Sequence, residues 1–357
     1  MSNEKITFLN QQAIHFLQKL IETPSFSKEE NSSALLFADF FKNNNIPFQR
    51  VQNNIWVKNK YFDTEKPSIL LNSHHDTVKP NSSYSKNPFN AEISDGKLYG
   101  LGSNDAGASL VALLATFLYF YENQNLKFNL IFGASAEEEI SGKNGIELLI
   151  SELPKIELAI VGEPTQMQMA IAEKGLMVLD CKAKGVSGHS AGHEGLNAIY
   201  EAITDINWFK SFKFSKTSDT LGPIKMSVTM INSGTQHNVV PDECTFVVDV
   251  RANEAYSLEE TLEIIKKNVK SEVVPRSMRL KPSCISFNHP IVKKGLEIGM
   301  NTYGSPTLSD QALMPFLSVK IGPGNSSRSH AANEYIYVSE IEQGIYGYIN
   351  LLSGYID

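Results

Sequence analysis

The chain reads as an α/β protein, a helix-flanked and mostly parallel sheet interrupted by an inserted two-layer α+β domain. Strand-like and helix-like segments alternate over the first half, and after Lys174-Gly175 the pattern changes to a compact pair of β/α units. At 357 residues the chain also exceeds one ordinary hydrophobic core, so two domains are expected.

Apolar residues at helical spacing predict helices over 8–22 and 28–44, and short strand-forming runs predict strands over 54–57 and 68–72. The run SLVALLATFLYFY predicts a helix over 109–122, followed by a strand over 126–134 and a helix over 144–152. The second pattern reads as strand LMVLDCKAKG, helix GLNAIYEAITDI, strands KMSVTMIN and CTFVVDVR, helix SLEETLEIIKKNVK and strand SMRLKP. Between elements, SKNPFN and SKTSDTLGP read as short loops rich in turn residues. From about Phe287 the chain is expected to return to the first domain. That gives a discontinuous domain of 1–175 plus 287–357 around an insert of 176–286.

Composition excludes several function classes. The apolar run at 110–121 is too short to span a bilayer, and the start MSNEKITFLN lacks the apolar core of a signal peptide. A soluble, cytoplasmic protein with no membrane partner is expected. Cys181, Cys244 and Cys284 form no CxxC pair, which fits a reducing compartment. A net charge of −7 with no basic cluster argues against nucleic acid as a partner.

The polar residues that carry chemistry are His74 and Asp76 in SILLNSHHDT, Asp105 in KLYGLGSNDAG, Glu138 and Glu139 in FNLIFGASAEEE, Glu163 in VGEPT, and His330 in SRSHAANE. The first three segments each follow a strand-forming run, so their polar ends should converge at one edge of a sheet. Imidazoles and carboxylates without thiolate form a nitrogen/oxygen shell, suited to catalytic zinc, cobalt or manganese rather than a structural Cys-rich site. A pair of ions about 3.5–4 Å apart could share a bridging carboxylate and activate water between them. If one of the adjacent Glu138 and Glu139 ligates, its neighbour can face that water as a general base. Asp76 can accept the second imidazole N–H of His74 and fix its tautomer. Each segment alone has an ordinary alternative: Asp105 as a helix N-cap, the acidic run as a solvated face, Glu163 as a turn residue, His330 as a loop histidine. The ordered set favours the metal site.

Taken together, LLNSHHDTV, LYGLGSNDAG, SAEEEISG, VGEPT and GPGNSSRSHAANE resemble the di-zinc aminoacylase and exopeptidase superfamily that includes acetylornithine deacetylase, succinyl-diaminopimelate desuccinylase and carboxypeptidase G. The likeness runs from about Leu70 to Glu334. It implies that His74, Asp105 and Glu163 hold one metal and that Asp105, Glu139 and His330 hold the other, with Glu138 as base and Asp76 supporting His74. The metals would be two zinc ions, or cobalt. GVSGHSAG is similar to the family's lid segment, which implies that His189 stabilises the tetrahedral intermediate in the neighbouring subunit of a homodimer. QHNVVPDECTFVVDVR is similar to the segment that holds the substrate carboxylate, which implies roles for Asn238 and Arg251. Without the family, Arg251 would read as a surface arginine ending a strand.

The chain departs from the pattern in places. Ala106-Gly107-Ala108 stands where many relatives have Met-Lys-Gly, and Glu137 stands where an Asp usually precedes the paired glutamates. The following Ile140-Ser141-Gly142 matches the family and places the base at Glu138. His75 has no family role and reads as a surface or supporting histidine. The implied reaction is hydrolysis of an N-acylated amino acid, N-acetylornithine first, with N-acetylcitrulline, N-succinylornithine or a small dipeptide as alternatives. An inactive metal-binding scaffold would be expected to lack the base, and Glu138 is present.

Overall fold

The computed structural model describes residues 3–357. Two compact units are present. The first holds the described residues up to Ile171 together with Ile285–Tyr303 and Ser309–Asp357, and the second holds Ala172–Cys284 and Gly304–Leu308. The chain begins with α1 (Asn3–Ile21), α2 (Asn31–Asn43), β1 (Phe48–Val51), β2 (Asn54–Lys58), β3 (Ser68–His74), β4 (Ile93–Ser94) and β5 (Lys97–Tyr99). It continues through α3 (Ala108–Phe120), β6 (Asn129–Ser135), α4 (Ile146–Glu152), β7 (Ile156–Val161) and β8 (Met169–Glu173). The second unit contributes β9 (Gly175–Lys184), β10 (Gly188–His189), α5 (Ala198–Ser211), β11 (Lys225–Ser233), β12 (Val239–Val240), β13 (Glu243–Ala252), α6 (Leu258–Asn268), β14 (Glu272–Pro275) and β15 (Ser283–Cys284). After it come α7 (Pro290–Glu297), β16 (Thr302–Ser305), β17 (Leu317–Lys320), β18 (Tyr335–Tyr337) and α8 (Val338–Leu352).

In the first unit the strands lie in the order β1-β2-β6-β3-β7-β17-β8. At its centre β3 is parallel to β6 and to β7, and β17 is parallel to β7. Every residue of β3 and of β6 is buried, as strands covered on both faces require. Alternation divides their side chains between two cores. Ile69, Leu71, Leu130 and Phe132 join the residues of α1, α2, α3 and α8, while Leu70 and Ile131 face Ile146 and Leu149 of α4. Helix α3 is apolar almost all round because it packs against α1, α8 and β3 together. Register aligns the carboxyl ends of the central strands: His74 lies opposite Ser135, and Val161 lies opposite both Asn72 and Lys320. Residues just past these ends therefore meet above the sheet.

One expectation about this edge is corrected. Asp105 does not follow a strand of the main sheet, because β5 belongs to a separate three-stranded sheet with β4 and β18. The short strand is instead followed by a turn over Ser103–Gly107 that runs into α3. Asp105 thus reaches the strand ends from the helix side.

In the second unit the sheet order is β11-β13-β9-β14, antiparallel throughout. Met177, Leu179, Cys181, Phe246, Val248 and Val250 form a buried face against Ala202 and Phe209 of α5 and Leu262 and Ile265 of α6. Helix α6 starts in a capping box in which Ser257 and Glu260 exchange hydrogen bonds with each other's backbone. The final strand was expected at SMRLKP, but the ladder is made by Glu272–Pro275. Val273 there is buried in the helix-covered core, whereas the chain leaves the ladder after the Arg276 N–H reaches the Val178 carbonyl at 2.9 Å. No helix among the described residues is long and apolar enough to cross a membrane.

Phe132 is fully buried on β6 with ring centroids of Phe37, Phe41 and Phe117 at 6.2, 6.3 and 6.2 Å. Phe132→Ala is expected to lower unfolding free energy by about 3–5 kcal/mol in urea titration, and a loss under about 1 kcal/mol would contradict this packing.

Candidate metal centre

His74 is the last residue of β3 and 1% exposed. Its Nδ1 lies 2.9 Å from the backbone carbonyl of Asp76, so Nδ1 donates and Nε2 is the nitrogen left to take a proton or a cation. That Nε2 is buried and has no hydrogen-bond partner. Around it stand Asp105 Oδ1 at 3.4 Å, Glu163 Oε1 at 3.8 Å and Glu138 Oε2 at 3.9 Å. A buried imidazole nitrogen without a hydrogen-bond partner, facing carboxylates, fits a divalent cation. Two groupings bring ligand atoms within 4.8 Å of one another, His74 with Glu138 and Glu163, and His74 with Asp105 and Glu139. His330 adds the second imidazole, with Nε2 3.0 Å from Glu139 Oε2 and 3.7 Å from Asp105 Oδ2. Asp105 therefore has one imidazole near each carboxylate oxygen.

Glu137 is turned away from this cluster. It adopts a left-handed backbone with φ 54°, and its carboxylate accepts from the side-chain amide of Asn144 at 3.1 Å. A Cβ at Gly142 would overlap that carboxylate, so the turn requires glycine there. Glu138 and Glu139 are left to occupy the site from the short 3₁₀ turn after β6.

Asp76 meets His74 through both its backbone carbonyl and its carboxylate, and also serves the neighbouring turn. The group nearest Nδ1 of His74 is the Asp76 backbone carbonyl, while the carboxylate oxygen stands 3.5 Å away. The carboxylate also accepts the N–H groups of Glu138 at 3.0 Å and Glu139 at 3.2 Å and the Ser27 hydroxyl at 2.7 Å. It supports the His74 ring and caps the glutamate turn at once. His75 is buried rather than on the surface, with Ser33 Oγ at 2.9 Å on one ring nitrogen and the Asn53 carbonyl at 2.9 Å on the other. Burial lowers it to about 4, so it stays neutral.

The electrostatics follow from crowding carboxylates in a desolvated space. Burial pushes Glu138 well above the usual carboxylate range, and Glu163, Asp310 and Glu139 push it further against the opposing His74. Burial likewise raises Glu163 strongly, with Asp105 and Asp310 adding to it against His74 and Lys320. For His74, burial favours the neutral ring, but Glu138, Asp105, Asp76 and Glu163 outweigh it and raise the group well above its ordinary value. The hydrogen bond to Glu139 raises His330 to about 9 despite its partial burial. The cluster thus calls for positive charge.

Two carboxylates beside the site were not singled out in the sequence. Asp310, 3% exposed, accepts from Ser135 Oγ at 2.6 Å and Asn72 Nδ2 at 2.8 Å, tying β6 to β3 just before the site. Burial raises it to about 6. Glu334 binds backbone N–H groups around Asp105, and burial together with Asp105 raises it to about 8. Only spacing from His330 could have flagged Glu334, and nothing local flags Asp310.

His189, Asn238 and Arg251 lie in the second unit. His189 lies on the two-stranded ribbon β10–β12, exposed and paired with Val239, and Asn238 stands just before β12, where its carbonyl accepts the Ser190 N–H at 3.1 Å. Arg251 stands on β13 and donates Nε and Nη2 to Asp249 at 2.9 and 3.1 Å.

Comparison with known proteins agrees with this geometry. The sequence pattern of peptidase family M20/M25/M40 matches residues 70–353. A probable carboxypeptidase of Paracoccidioides lutzii is 27% identical over 85% of this chain and 73% of its own length. A succinyl-diaminopimelate desuccinylase of Rickettsia bellii is 27% identical over 94% of this chain and 95% of its own. Among solved structures, aminopeptidase PepT of Bacillus cereus superposes with a TM-score of 0.78 at 16% identity, over 96% and 97% of the two chains. A dinuclear metal-binding M20 peptidase of Bacillus subtilis gives 0.72 at 14% identity, over 97% and 99%. With imidazoles and carboxylates meeting at the strand ends and most of the sequence matching one family pattern, the chain belongs to peptidase family M20/M25/M40 and is a metallohydrolase.

Proposed function

We propose that the chain hydrolyses the amide of a small N-acylated amino acid with a free carboxylate, N-acetylornithine being the first candidate, and that this serves arginine biosynthesis in the cytoplasm. The observation that carries the reading is the cluster around the unpartnered Nε2 of His74. A small peptide is the second reading, favoured by relatives named carboxypeptidase and aminopeptidase.

His74, Asp105 and Glu163 would hold one cation, and Asp105, Glu139 and His330 the other, zinc being the first choice and cobalt a substitute. Bound there, the cations supply polarisation of the scissile carbonyl and a lowered pKa for the attacking water. Glu138 takes a proton from that water at its carboxylate. It then delivers the proton to the amine nitrogen as the C–N bond breaks, releasing the acyl group as a carboxylic acid. Arg251 and Asn238 anchor the substrate carboxylate, and His189 donates to the developing oxyanion.

A homodimer in which His189 serves the partner's site is part of the same proposal. Support comes from β11, an end strand of its sheet with Met230 and Ile231 63% and 57% exposed, beside α5 with Tyr200 68% exposed. An open apolar edge of this kind suits a second copy.

Removal of metal by a chelator should abolish hydrolysis and added zinc or cobalt should restore it; full turnover of metal-free protein, checked by elemental analysis, contradicts the mechanism. Glu138→Gln should keep metal and lose roughly 10²–10⁴ or more in kcat. Loss of metal in Glu138→Gln but not in Glu139→Gln would exchange the two roles. Across a panel of N-acyl amino acids and short peptides, N-acetylornithine should give the highest kcat/KM, and preference for peptides would replace it with the second reading. Mixing inactive His189→Ala and Glu138→Gln subunits should restore up to roughly a quarter of wild-type activity through heterodimers with one intact site. No recovery after demonstrated exchange would confine His189 to its own subunit or remove it from catalysis.

A further inference from the structure

We propose that Glu334 is a positioning residue that sets the orientation of Asp105 before any cation arrives. Its side chain is 2% exposed and lies in the loop that also carries His330. One carboxylate oxygen accepts the N–H of Asn104 at 2.8 Å and of Asp105 at 2.9 Å, and the other accepts the N–H of Gly102 at 3.0 Å. Its own backbone carbonyl accepts from Gly100 at 3.0 Å. These bonds close around a turn that no ordinary helix stabilises: Gly102 is left-handed at φ 75°, and Asp105 itself has the extended values φ −117° and ψ 98°. Buried N–H groups in such a turn need an acceptor.

Placing a carboxylate here sets a like charge beside Asp105, which together with burial favours its protonated form, while the N–H groups of Gly102, Asn104 and Asp105 favour the ionised one. The placement is reasonable where backbone orientation is what matters. A carboxylate can take these N–H groups on both oxygens, whereas glutamine offers one acceptor oxygen and turns an NH₂ donor toward the remaining N–H. Glu334 also joins the Asp105 turn to the segment bearing His330, so the residues flanking one prospective cation share a fastening. Asp76 makes the equivalent arrangement for the turn of Glu138 and Glu139.

The inference rests on the reading of Asp105 as a ligand, and its tests involve no N-acyl substrate preference. Hydrogen exchange on chelator-stripped wild-type protein should show the Gly102, Asn104 and Asp105 amides already protected. If these amides exchange freely until zinc is added, the turn is not preset and the proposal fails. In Glu334→Gln the same amides should lose protection, and calorimetric titration should show zinc affinity weakened on the order of 10–100-fold. At saturating zinc, kcat should fall with KM nearly unchanged for whichever substrate the wild type accepts. A folded Glu334→Gln protein with wild-type zinc affinity and wild-type protection overturns the proposal. Should that variant not fold, exchange on the wild type decides alone. Wild-type protein that binds no zinc would instead remove the metal reading itself, a separate failure.

Discussion

The structure turns on mutual repulsion among buried carboxylates at the carboxyl ends of β3, β6 and β7. Asp105, Glu138, Glu139 and Glu163 converge on His74, and burial opposes the ionisation of Glu138 and Glu163 there. Two like charges about 4 Å apart interact by about 4 kcal/mol at an effective dielectric near 20. Such a cluster is tolerated when something positive joins it. The imidazoles respond by holding protons more tightly, because the carboxylates around them favour the charged ring.

A second group of carboxylates has a different task. Asp76 and Glu334 accept backbone N–H groups from the turns that carry Glu138, Glu139 and Asp105, while Glu30 accepts the N–H of Glu137 at 3.1 Å. Their charge is met by peptide dipoles, so they fix backbone rather than attract a metal. The division between the two groups is visible in the hydrogen bonds and would be invisible from residue type, since both consist of Asp and Glu. These bonds fasten turns whose side chains Glu138, Glu139 and Asp105 lie outside any regular strand or long helix.

The α/β class and most individual elements were legible because buried parallel strands are continuous apolar runs and α3 is apolar throughout. His74, Glu138, Glu139 and Glu163 stood out because each ends or closely follows one of the buried strands β3, β6 and β7. Less accessible were features that depend on distant backbone. Asp105 looked like the end of a sheet strand, yet β5 pairs with β18 from the far end of the chain. His75 read as either a surface or a supporting histidine because its partners Ser33 and Asn53 come from other segments. Asp310 and Glu334 left little trace because their partners are hydroxyls, amides and N–H groups remote in sequence. The misplaced strand at SMRLKP shows a similar limit, because β14 was decided by which residues reach the open side of β9.

The central claim is that these residues hold a pair of cations across Asp105. Crystals of the wild-type protein grown with zinc and measured at the zinc absorption edge test it most directly. The account predicts two anomalous peaks roughly 3.5–4 Å apart, one against His74 and Glu163, the other against Glu139 and His330, with an Asp105 oxygen facing each. Peaks placed elsewhere, or a fully loaded protein with no zinc at His74, would contradict it.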